Sequence, residues 1–140
     1  MRVLVTGGAG FIGSALVDKL AKNDHQVLVI DNFSTGSEKN LKEAQEISGV
    51  NLIIEECDIR ETEATKLIAD YEPSVIFHLA AQVDVRASVT DPLTDAETNL
   101  LGMIRVLEGA RTSKTEKFIL AASGGTIYGE PDSKLLPLKE

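Results

Sequence analysis

A chain of 140 residues with 43% hydrophobic and 26% charged residues is material for one soluble globular domain. Its formal net charge of −8 argues against non-specific binding to nucleic acids or anionic membranes, because polyanions would be repelled. A single cysteine, Cys57, excludes an internal disulfide framework, and no apolar run has the length of a signal-peptide core or a membrane span, so we expect a cytoplasmic protein.

Five short apolar runs, most of them rich in β-branched residues, are predicted to be strands. They are Arg2–Thr6, Gln26–Asp31, Val50–Glu55, Ser74–Leu79 and Lys117–Ala122. Most of these runs are nearly continuous rather than alternating, as expected for parallel strands that are covered on both faces.

Amphipathic helical patterns separate the strands, over residues 11–20, 41–47 and 64–71 and, longest of all, Pro92–Arg111. Asp91 and Pro92 supply that helix with an N-cap and a proline at its first position. Its apolar residues form one stripe, composed of Leu93, Ala96, Leu100, Met103, Ile104, Leu107 and Ala110.

The alternation of strands and helices predicts an α/β fold, a Rossmann-type doubly wound parallel sheet with five strands present. Residues Gly129–Glu140 carry two prolines and no periodicity, so they are predicted to form a loop. Because sheets of this kind normally continue past five strands, we expect the domain, residues 1–140, to be incomplete at its C-terminus.

A glycine-rich turn, Thr6-Gly-Gly-Ala-Gly-Phe-Ile-Gly13, joins the first strand to the first helix. Gly7 permits a tight turn, Gly10 lets the backbone approach a pyrophosphate, and Gly13 lets the helix lie close to the strand. The free N–H groups and positive dipole end of the helix then bind phosphates. A strand before the turn and a helix after it are the context that a dinucleotide-binding turn requires.

An acidic residue, Asp31, ends the second strand 18 residues after Gly13. A carboxylate at this point can accept hydrogen bonds from both ribose hydroxyls of an adenosine and repels a 2′-phosphate, which favours NAD over NADP as the cofactor. The alternative is that Asp31 only caps the turn that follows it.

Together with further segments, the glycine turn and Asp31 resemble a known family, the nucleotide-sugar epimerases and dehydratases among the extended short-chain dehydrogenases/reductases, and within it the UDP-glucose 4-epimerases. The resemblance covers essentially the whole chain. Beyond the glycine turn, the matching segments are Asp31-Asn-Phe-Ser-Thr-Gly36, Asp58-Ile-Arg60, His78-Leu-Ala-Ala-Gln82, Asp84-Val-Arg-Ala-Ser88, Asn99 and Ser123-Gly-Gly-Thr-Ile-Tyr-Gly129.

The resemblance implies a set of cofactor contacts. The backbone of Phe11 and Ile12 would lie against the pyrophosphate, and Asp31 and Asn32 would hold the adenosine ribose. The remaining implied contacts are Ser34, Thr35 and Gly36 beside the ribose, Asp58 and Ile59 at the adenine, and Leu79, Ala80, Ala81 and Gln82 after the fourth strand. Small alanines suit that strand end because ligands of such sheets lie beyond the carboxyl ends of the strands.

Three further residues have alternative interpretations. Asn99 resembles a polar residue that braces the cofactor-side loops, or it is an ordinary helix residue bonded to a neighbouring strand end. His78 is interpreted as structural rather than as a catalytic base, because a lone histidine at the end of a buried strand is more often structural. Cys57 stands where many relatives have glycine and is interpreted as a small buried hydrophobe.

The catalytic hydroxyl of the family is matched by Ser123 when counted from the preceding strand. Counting back from Tyr128 puts Gly124 in that position instead, which implies that this loop has one residue more than in the family. Thr126 is then an alternative candidate for the catalytic hydroxyl. A loop serine that only caps the backbone is the remaining alternative. No metal site is predicted.

The family's general acid/base is a tyrosine four residues before a lysine, whose ammonium lowers the pKa of the phenol. Here Tyr71 is followed at that spacing by Val75, and Tyr128 by Asp132. We therefore expect this chain to be the N-terminal portion of such an enzyme, without the dyad or the substrate-binding portion.

The implied activity is an NAD-dependent nucleotide-sugar 4-epimerase of the UDP-glucose/UDP-galactose type, with a nucleotide-sugar substrate and a possible homodimer through the long helix, residues 92–111. One alternative is a 4,6-dehydratase, although those relatives carry an Asp-Glu pair where this chain has Gly124-Gly125. The other is a non-catalytic dinucleotide-binding module.

Overall fold

A single parallel sheet of five strands, in the order β3-β2-β1-β4-β5, forms the centre of the protein. The structure is a computed structural model that describes residues 1–136, apart from the side chains of Val50 and Thr126. The strands are β1 (Arg2–Thr6), β2 (Gln26–Asp31), β3 (Leu52–Glu56), β4 (Val75–His78) and β5 (Lys117–Leu120). This confirms the predicted doubly wound α/β sheet, and the strand order reverses between β1 and β4, where such folds bind their ligands.

Helices follow the strands on both faces of the sheet. They are α1 (Phe11–Lys22), α2 (Lys42–Ser48), α3 (Thr62–Tyr71), α4 (Val85–Thr90), α5 (Pro92–Ala96), α6 (Met103–Thr112) and α7 (Gly124–Tyr128). A π-helical segment, Glu97–Gly102, joins α5 to α6. Short 3₁₀ turns cover Glu38–Leu41, Gly49–Asn51 and Ser133–Leu135.

Several predicted boundaries were wrong. Strand β3 begins two residues later than predicted because the 3₁₀ turn over Gly49–Asn51 precedes it, and β5 ends at Leu120 rather than Ala122. Helix α4 was not predicted because it is only six residues long, and its two apolar residues at helical spacing, Val85 and Val89, are too few to indicate a helix; both are exposed. The predicted C-terminal loop contains the Ser133–Leu135 turn, and residues 137–140 lie outside the described part of the chain.

The apolar runs of the central strands divide between two cores. Val3 and Val5 of β1 pack with the α1 side of the sheet, and Leu4 packs with the opposite side. In β2, Val27 and Val29 alternate with Leu28 in the same way. Because successive side chains of a strand point to opposite faces and both faces are covered, continuous apolar runs are what these strands require.

Helical structure covers the predicted residues 92–111, but as α5, the π-helical segment and α6 rather than as one α-helix. Of the predicted apolar stripe, only Ala110 is buried in the core. Leu93, Leu100, Ile104 and Leu107 are exposed in this chain. The buried face instead carries Val106 and two small residues, Gly109, which packs on Ile68 of α3, and Gly102, which packs on Ile59. Within residues 1–136, no helix combines the length and apolar character needed to cross a bilayer.

Candidate functional site

The carboxyl ends of the strands bring the predicted site segments to one edge of the sheet. At the start of these segments, the N–H of Gly7 donates to the carbonyl of Ile30 (2.9 Å), and the N–H of Leu79 donates to the carbonyl of Thr6 (3.1 Å). The N–H of Cys57 continues the pattern by donating to the carbonyl of Asp31 (3.0 Å). The glycine turn, the segment after β2, the Asp58 segment and the segment after β4 therefore start side by side.

The glycine turn has the geometry that its three glycines predict. Gly7 adopts a φ of +68°, and a Cβ built on it would lie 2.7 Å from the backbone nitrogen of Ala80. A Cβ on Gly13 would lie 2.1 Å from the carbonyl oxygen of Gly7, so only glycine lets α1 approach the turn this closely. A Cβ on Gly10 would meet only the Gly7 oxygen, at 3.3 Å, and the space beside it is otherwise open.

The N-terminus of α1 fits a phosphate group. Its N-cap is Gly10, and no side-chain hydrogen bond caps this helix among the residues described. The first N–H groups of a helix have no intrahelical acceptor, and they attract anions together with the helix dipole. Phe11 and Ile12, which carry two of these groups, are 93% and 68% exposed. The open space beside Gly10 gives a phosphate direct access to this backbone.

Asp31 is buried, with 7% of its surface exposed, and it holds two backbone segments. Its Oδ2 accepts a hydrogen bond from the N–H of Ala9 in the glycine turn (2.9 Å), and its Oδ1 accepts one from the N–H of Phe33 (2.9 Å). The turn-capping alternative is therefore present in the structure. It does not exclude a ribose contact, because an ionised carboxylate offers about four acceptor positions and these bonds use two.

The segment after β2 is fastened to the glycine turn at Ala9. The carbonyl of Ala9 accepts hydrogen bonds from the N–H of Ser37 (3.1 Å) and the side-chain amide of Asn40 (2.8 Å). A Cβ on Gly36 would lie 2.9 Å from the carbonyl carbon of Ala9, so the two loops touch there. Ser34 and Thr35 lie in the exposed part of the loop that precedes these contacts.

Asp58 already has four hydrogen-bond donors around its carboxylate. The backbone N–H of Arg60 and its Nε donate to Oδ1 (2.9 and 3.0 Å), while its Nη2 and the amide of Asn32 donate to Oδ2 (2.8 Å each). The hydrogen bonds from Arg60 hold the pKa of Asp58 at about 2. An adenine amine could bind this carboxylate only by displacing one of these donors.

Ile59, the other residue implied at the adenine, places its side chain in the core. It is 5% exposed and packs against the position of Gly102, where a Cβ would lie 2.8 Å from the Ile59 Cδ1. Any contact between Ile59 and a cofactor would therefore be made by its backbone.

Thr6 and His78 form a buried polar pair between the ends of β1 and β4. The Thr6 hydroxyl oxygen accepts from the N–H groups of Leu79 and Ala80 (3.3 Å each), and it lies 2.7 Å from Nδ1 of His78. Its single proton therefore points to Nδ1, which leaves the histidine proton on Nε2. Burial lowers the pKa of His78 to about 4, and the side chain is 4% exposed, which agrees with the predicted structural role.

The residues after β4 are tied to the π-helical segment through Asn99. The N–H of Gln82 donates to Oδ1 of Asn99, and Nδ2 of Asn99 donates to the carbonyl of Gln82 (2.9 Å each). Leu79, Ala80 and Ala81 precede this paired contact. Both interpretations of Asn99 hold together, because the residue that braces the loop is also bonded to the segment after a strand end.

The hydroxyl candidates lie after β5. Ser123 is exposed and occupies the N-cap position of α7, but its side chain makes no cap hydrogen bond. The alternative of a serine that only caps the backbone is therefore not what the structure shows. The Thr126 side chain lies outside the described residues.

Neither tyrosine is placed as a general base. Burial raises the pKa of Tyr71 to about 12, and the residue ends α3, next to the Glu72 that pairs with Arg2 at the start of β1. Tyr71 is thus at the edge of the sheet opposite the glycine turn. Tyr128 is exposed at the end of α7.

Sequence reasoning missed the polar residues that hold this edge together, among them Asn40, Asp95 and Arg60 as a partner of Asp58. Their contacts join segments from 2 to 31 residues apart in the chain. No periodicity reports such contacts, and only the Asp58-Ile-Arg60 segment gave a local signal.

Comparison with known proteins places this geometry among enzymes of one family. Residues 3–140 match the NAD-dependent epimerase/dehydratase family. A UDP-glucose 4-epimerase of Mycolicibacterium smegmatis is 44% identical over 94% of this chain and 41% of its own length. The UDP-glucose 4-epimerase of Thermotoga maritima, solved with UDP-glucose, is 42% identical with a TM-score of 0.83 over 94% of this chain and 40% of that one.

A second similar structure contains NAD. The UDP-glucose 4-epimerase of Thermus thermophilus, solved with NAD, is 41% identical with a TM-score of 0.83, over 95% of this chain and 41% of that one. The chain thus spans about two fifths of the length of these relatives.

Proposed function

The chain belongs to the NAD-dependent epimerase/dehydratase family, and we propose that it is the NAD-binding portion of a nucleotide-sugar 4-epimerase of the UDP-glucose/UDP-galactose type. The observation that carries the proposal is the glycine turn, with an uncapped α1 N-terminus and open space beside Gly10 at the carboxyl edge of the sheet. UDP-glucose 4-epimerases are prominent among the similar proteins.

We propose that the turn binds the pyrophosphate of NAD and that Asp31 binds the adenosine ribose. The N–H groups of Phe11 and Ile12 would donate to phosphate oxygens. The negative charge of Asp31 and the absence of lysine or arginine within residues 32–37 disfavour the 2′-phosphate of NADP. Asn32, Ser34, Thr35 and Gly36 would line the ribose, and Leu79–Gln82 the nicotinamide half.

The proposed chemistry is oxidation at C4 of the sugar followed by return of hydride to the opposite face. Bound NAD supplies the hydride acceptor. The Ser123 hydroxyl, with Thr126 as its rival, would hydrogen-bond the C4 oxygen and assist its proton transfer. Since Tyr71 and Tyr128 both lack a lysine at the required spacing, the base and the sugar-binding residues would come from outside residues 1–140.

Gly124 and Gly125 favour epimerisation over dehydration. Loss of water from a 4-keto sugar needs an acid and a base at the neighbouring carbons, which the Asp-Glu pair implied for dehydratases would supply. Here both positions are glycine, at the start of α7.

The test compares the 140-residue chain with the protein extended through a downstream Tyr-x-x-x-Lys. Both should bind NAD in calorimetry, and only the long form should interconvert UDP-glucose and UDP-galactose. Turnover by the short chain would contradict our account of the base. A long form that binds NAD but is inactive on this pair would favour another nucleotide sugar or a non-catalytic module, and a 4-keto-6-deoxy product would identify a dehydratase.

A further inference from the structure

In the loop after β4, Leu79 and Ala80 pack against the two cores, whereas residues 81–84 and helix α4 have little apolar anchoring. Helix α4 buries no residue, and neither does α5. Hydrophobic burial is the main force that fixes an element in place, so another interaction must hold this region. Its position matters because the loop starts beside the glycine turn, where Gly7 approaches Ala80.

A polar network holds the loop, and Asp95 lies at its centre. Oδ1 of Asp95 accepts hydrogen bonds from Nδ2 of Asn99 (3.0 Å) and from the hydroxyl of Ser88 (2.7 Å). Asn99 makes the paired contact with the backbone of Gln82. The single proton of the Ser88 hydroxyl also has the carbonyl of Asp84 in range (3.1 Å), but the Asp95 oxygen is the nearer acceptor. The Ser88 hydroxyl oxygen, in turn, accepts from the side-chain amide of Gln82 (3.1 Å). One carboxylate oxygen thus reaches Gln82 by two routes, one through Asn99 in the π-helical segment and one through Ser88 in α4.

The network also fixes the orientation of the Asn99 amide. If the amide were turned over, its NH₂ group would face the Gln82 N–H, and its oxygen would face both the Gln82 carbonyl and the Asp95 carboxylate. Asp95 lies four residues before Asn99, one helical turn earlier, and the π-helical segment that contains Asn99 begins directly after α5. π-Helical turns inside helices occur frequently at functional sites.

We propose that Asp95 is a positioning residue for cofactor binding: it holds Asn99 and Ser88, and through them it sets the chain around Gln82, at the end of the segment that we propose lines NAD. This inference rests on the proposed NAD site. Asp95 does not touch the cofactor itself. One oxygen of its carboxylate accepts both hydrogen bonds. The isosteric amide of asparagine has an oxygen that can accept the same two bonds, so we expect Asp95→Asn to retain the function of Asp95.

The test uses the full chain with five variants, one of them a double variant, and two readouts, NAD binding by calorimetry and hydrogen exchange of the Gln82 amide. Asp95→Ala should weaken NAD binding by about tenfold, since it removes two hydrogen bonds of the network, and should speed exchange at Gln82. Asp95→Asn should stay within about threefold of the wild type. Ser88→Ala should weaken binding, and adding it to Asp95→Ala should cost less than the product of the two single effects.

Thr98→Val is the matched control. It removes a side-chain hydrogen bond within the same helix, from Thr98 to the carbonyl of Thr94 (2.9 Å), that does not lead to the loop. It should leave NAD affinity and Gln82 exchange unchanged.

Wild-type NAD affinity and Gln82 exchange in a folded Asp95→Ala protein would overturn the proposal, as would an Asp95→Asn variant as weak as Asp95→Ala. A uniform rise in exchange throughout the chain would also overturn it, because that result indicates a merely structural role. If the wild type itself does not bind NAD, the proposed function fails, whereas local exchange at Gln82 still decides whether Asp95 positions the loop.

Discussion

Burial keeps His78 neutral, which predicts an acid-dependent loss of stability. Its pKa is about 4 in the folded chain and 6.5 for an unburied histidine, and burial is the cause. A group whose pKa is lower in the folded than in the unfolded state becomes protonated in the unfolded state at a higher pH. The unfolded chain is therefore favoured progressively as the pH falls from about 6.5 to about 4, and no further below that range.

The size of the effect follows from the two pKa values. They differ by about 2.5, and each pKa unit corresponds to about 1.4 kcal/mol, so His78 alone lowers the free energy of unfolding by at most about 3 kcal/mol. About 2 kcal/mol of this should be lost between pH 7 and pH 5. Carboxylates also titrate in this range, so a variant is needed to isolate the histidine.

The assay combines urea unfolding at pH 7 and pH 5 with NMR titration of the ring protons. The chain has only two histidines, so the spectrum of His25→Asn identifies the ring signals of His78. His78→Asn keeps an acceptor for the Thr6 hydroxyl and removes the titrating group, so its stability should fall less between the two pH values than that of the wild type. His25→Asn should fall as much as the wild type. A measured His78 pKa above 6, or equal losses in the wild type and His78→Asn, would refute the reasoning.

Three further predictions concern the glycine turn and its acidic partner. Asp31→Ala should weaken NAD binding by about 1.5–3 kcal/mol and relax the preference over NADP in competitive calorimetry; tighter binding of NADP by the wild type would contradict the assignment. Gly10→Val should abolish NAD binding while the circular dichroism spectrum stays that of a folded chain, and wild-type affinity would show that no phosphate lies beside Gly10. Gly13→Ala should lower the free energy of unfolding by about 2–3 kcal/mol more than Gly10→Ala, because its Cβ would lie 2.1 Å rather than 3.3 Å from the Gly7 oxygen; equal urea midpoints would argue against this overlap.

The sheet and the glycine turn were predictable because their signals are local. Strands β1 and β2 have the predicted bounds, since each is a continuous apolar run that two covered faces require. The role of Gly13 could be stated in advance because the strand–turn–helix context fixes which atoms come close.

The outward face of the long helix and the existence of α4 were not predictable by the same reasoning. Apolar periodicity identified a helix over residues 92–111 but could not distinguish the packed face from the exposed one. The packed face includes Gly102 and Gly109, which carry no hydrophobic signal, so Val106 on that face was outweighed by the larger apolar residues of the exposed face. Helix α4 buries none of its residues. Its N-cap residue, Asp84, is of a type that is equally common in turns, so it did not indicate the start of a helix.

For Asp31 and Asn99 the sequence left two interpretations open, a role at the cofactor site and a purely structural role. The two roles are compatible because each side chain can make more than one hydrogen bond. Asp31 caps its own turn and holds Ala9 with two of about four acceptor positions, which leaves room for ribose hydroxyls. Thr6 similarly binds two N–H groups of the segment after β4 while donating its own proton to His78. At this edge the chain must satisfy buried backbone groups where strands end, and it does so with side chains that reach from one segment to the next. A residue that holds a neighbouring loop in place thereby also shapes the surface that the loop presents to a ligand. A substitution at such a residue therefore changes both roles, so the ligand affinity of each variant must be compared with its folding stability.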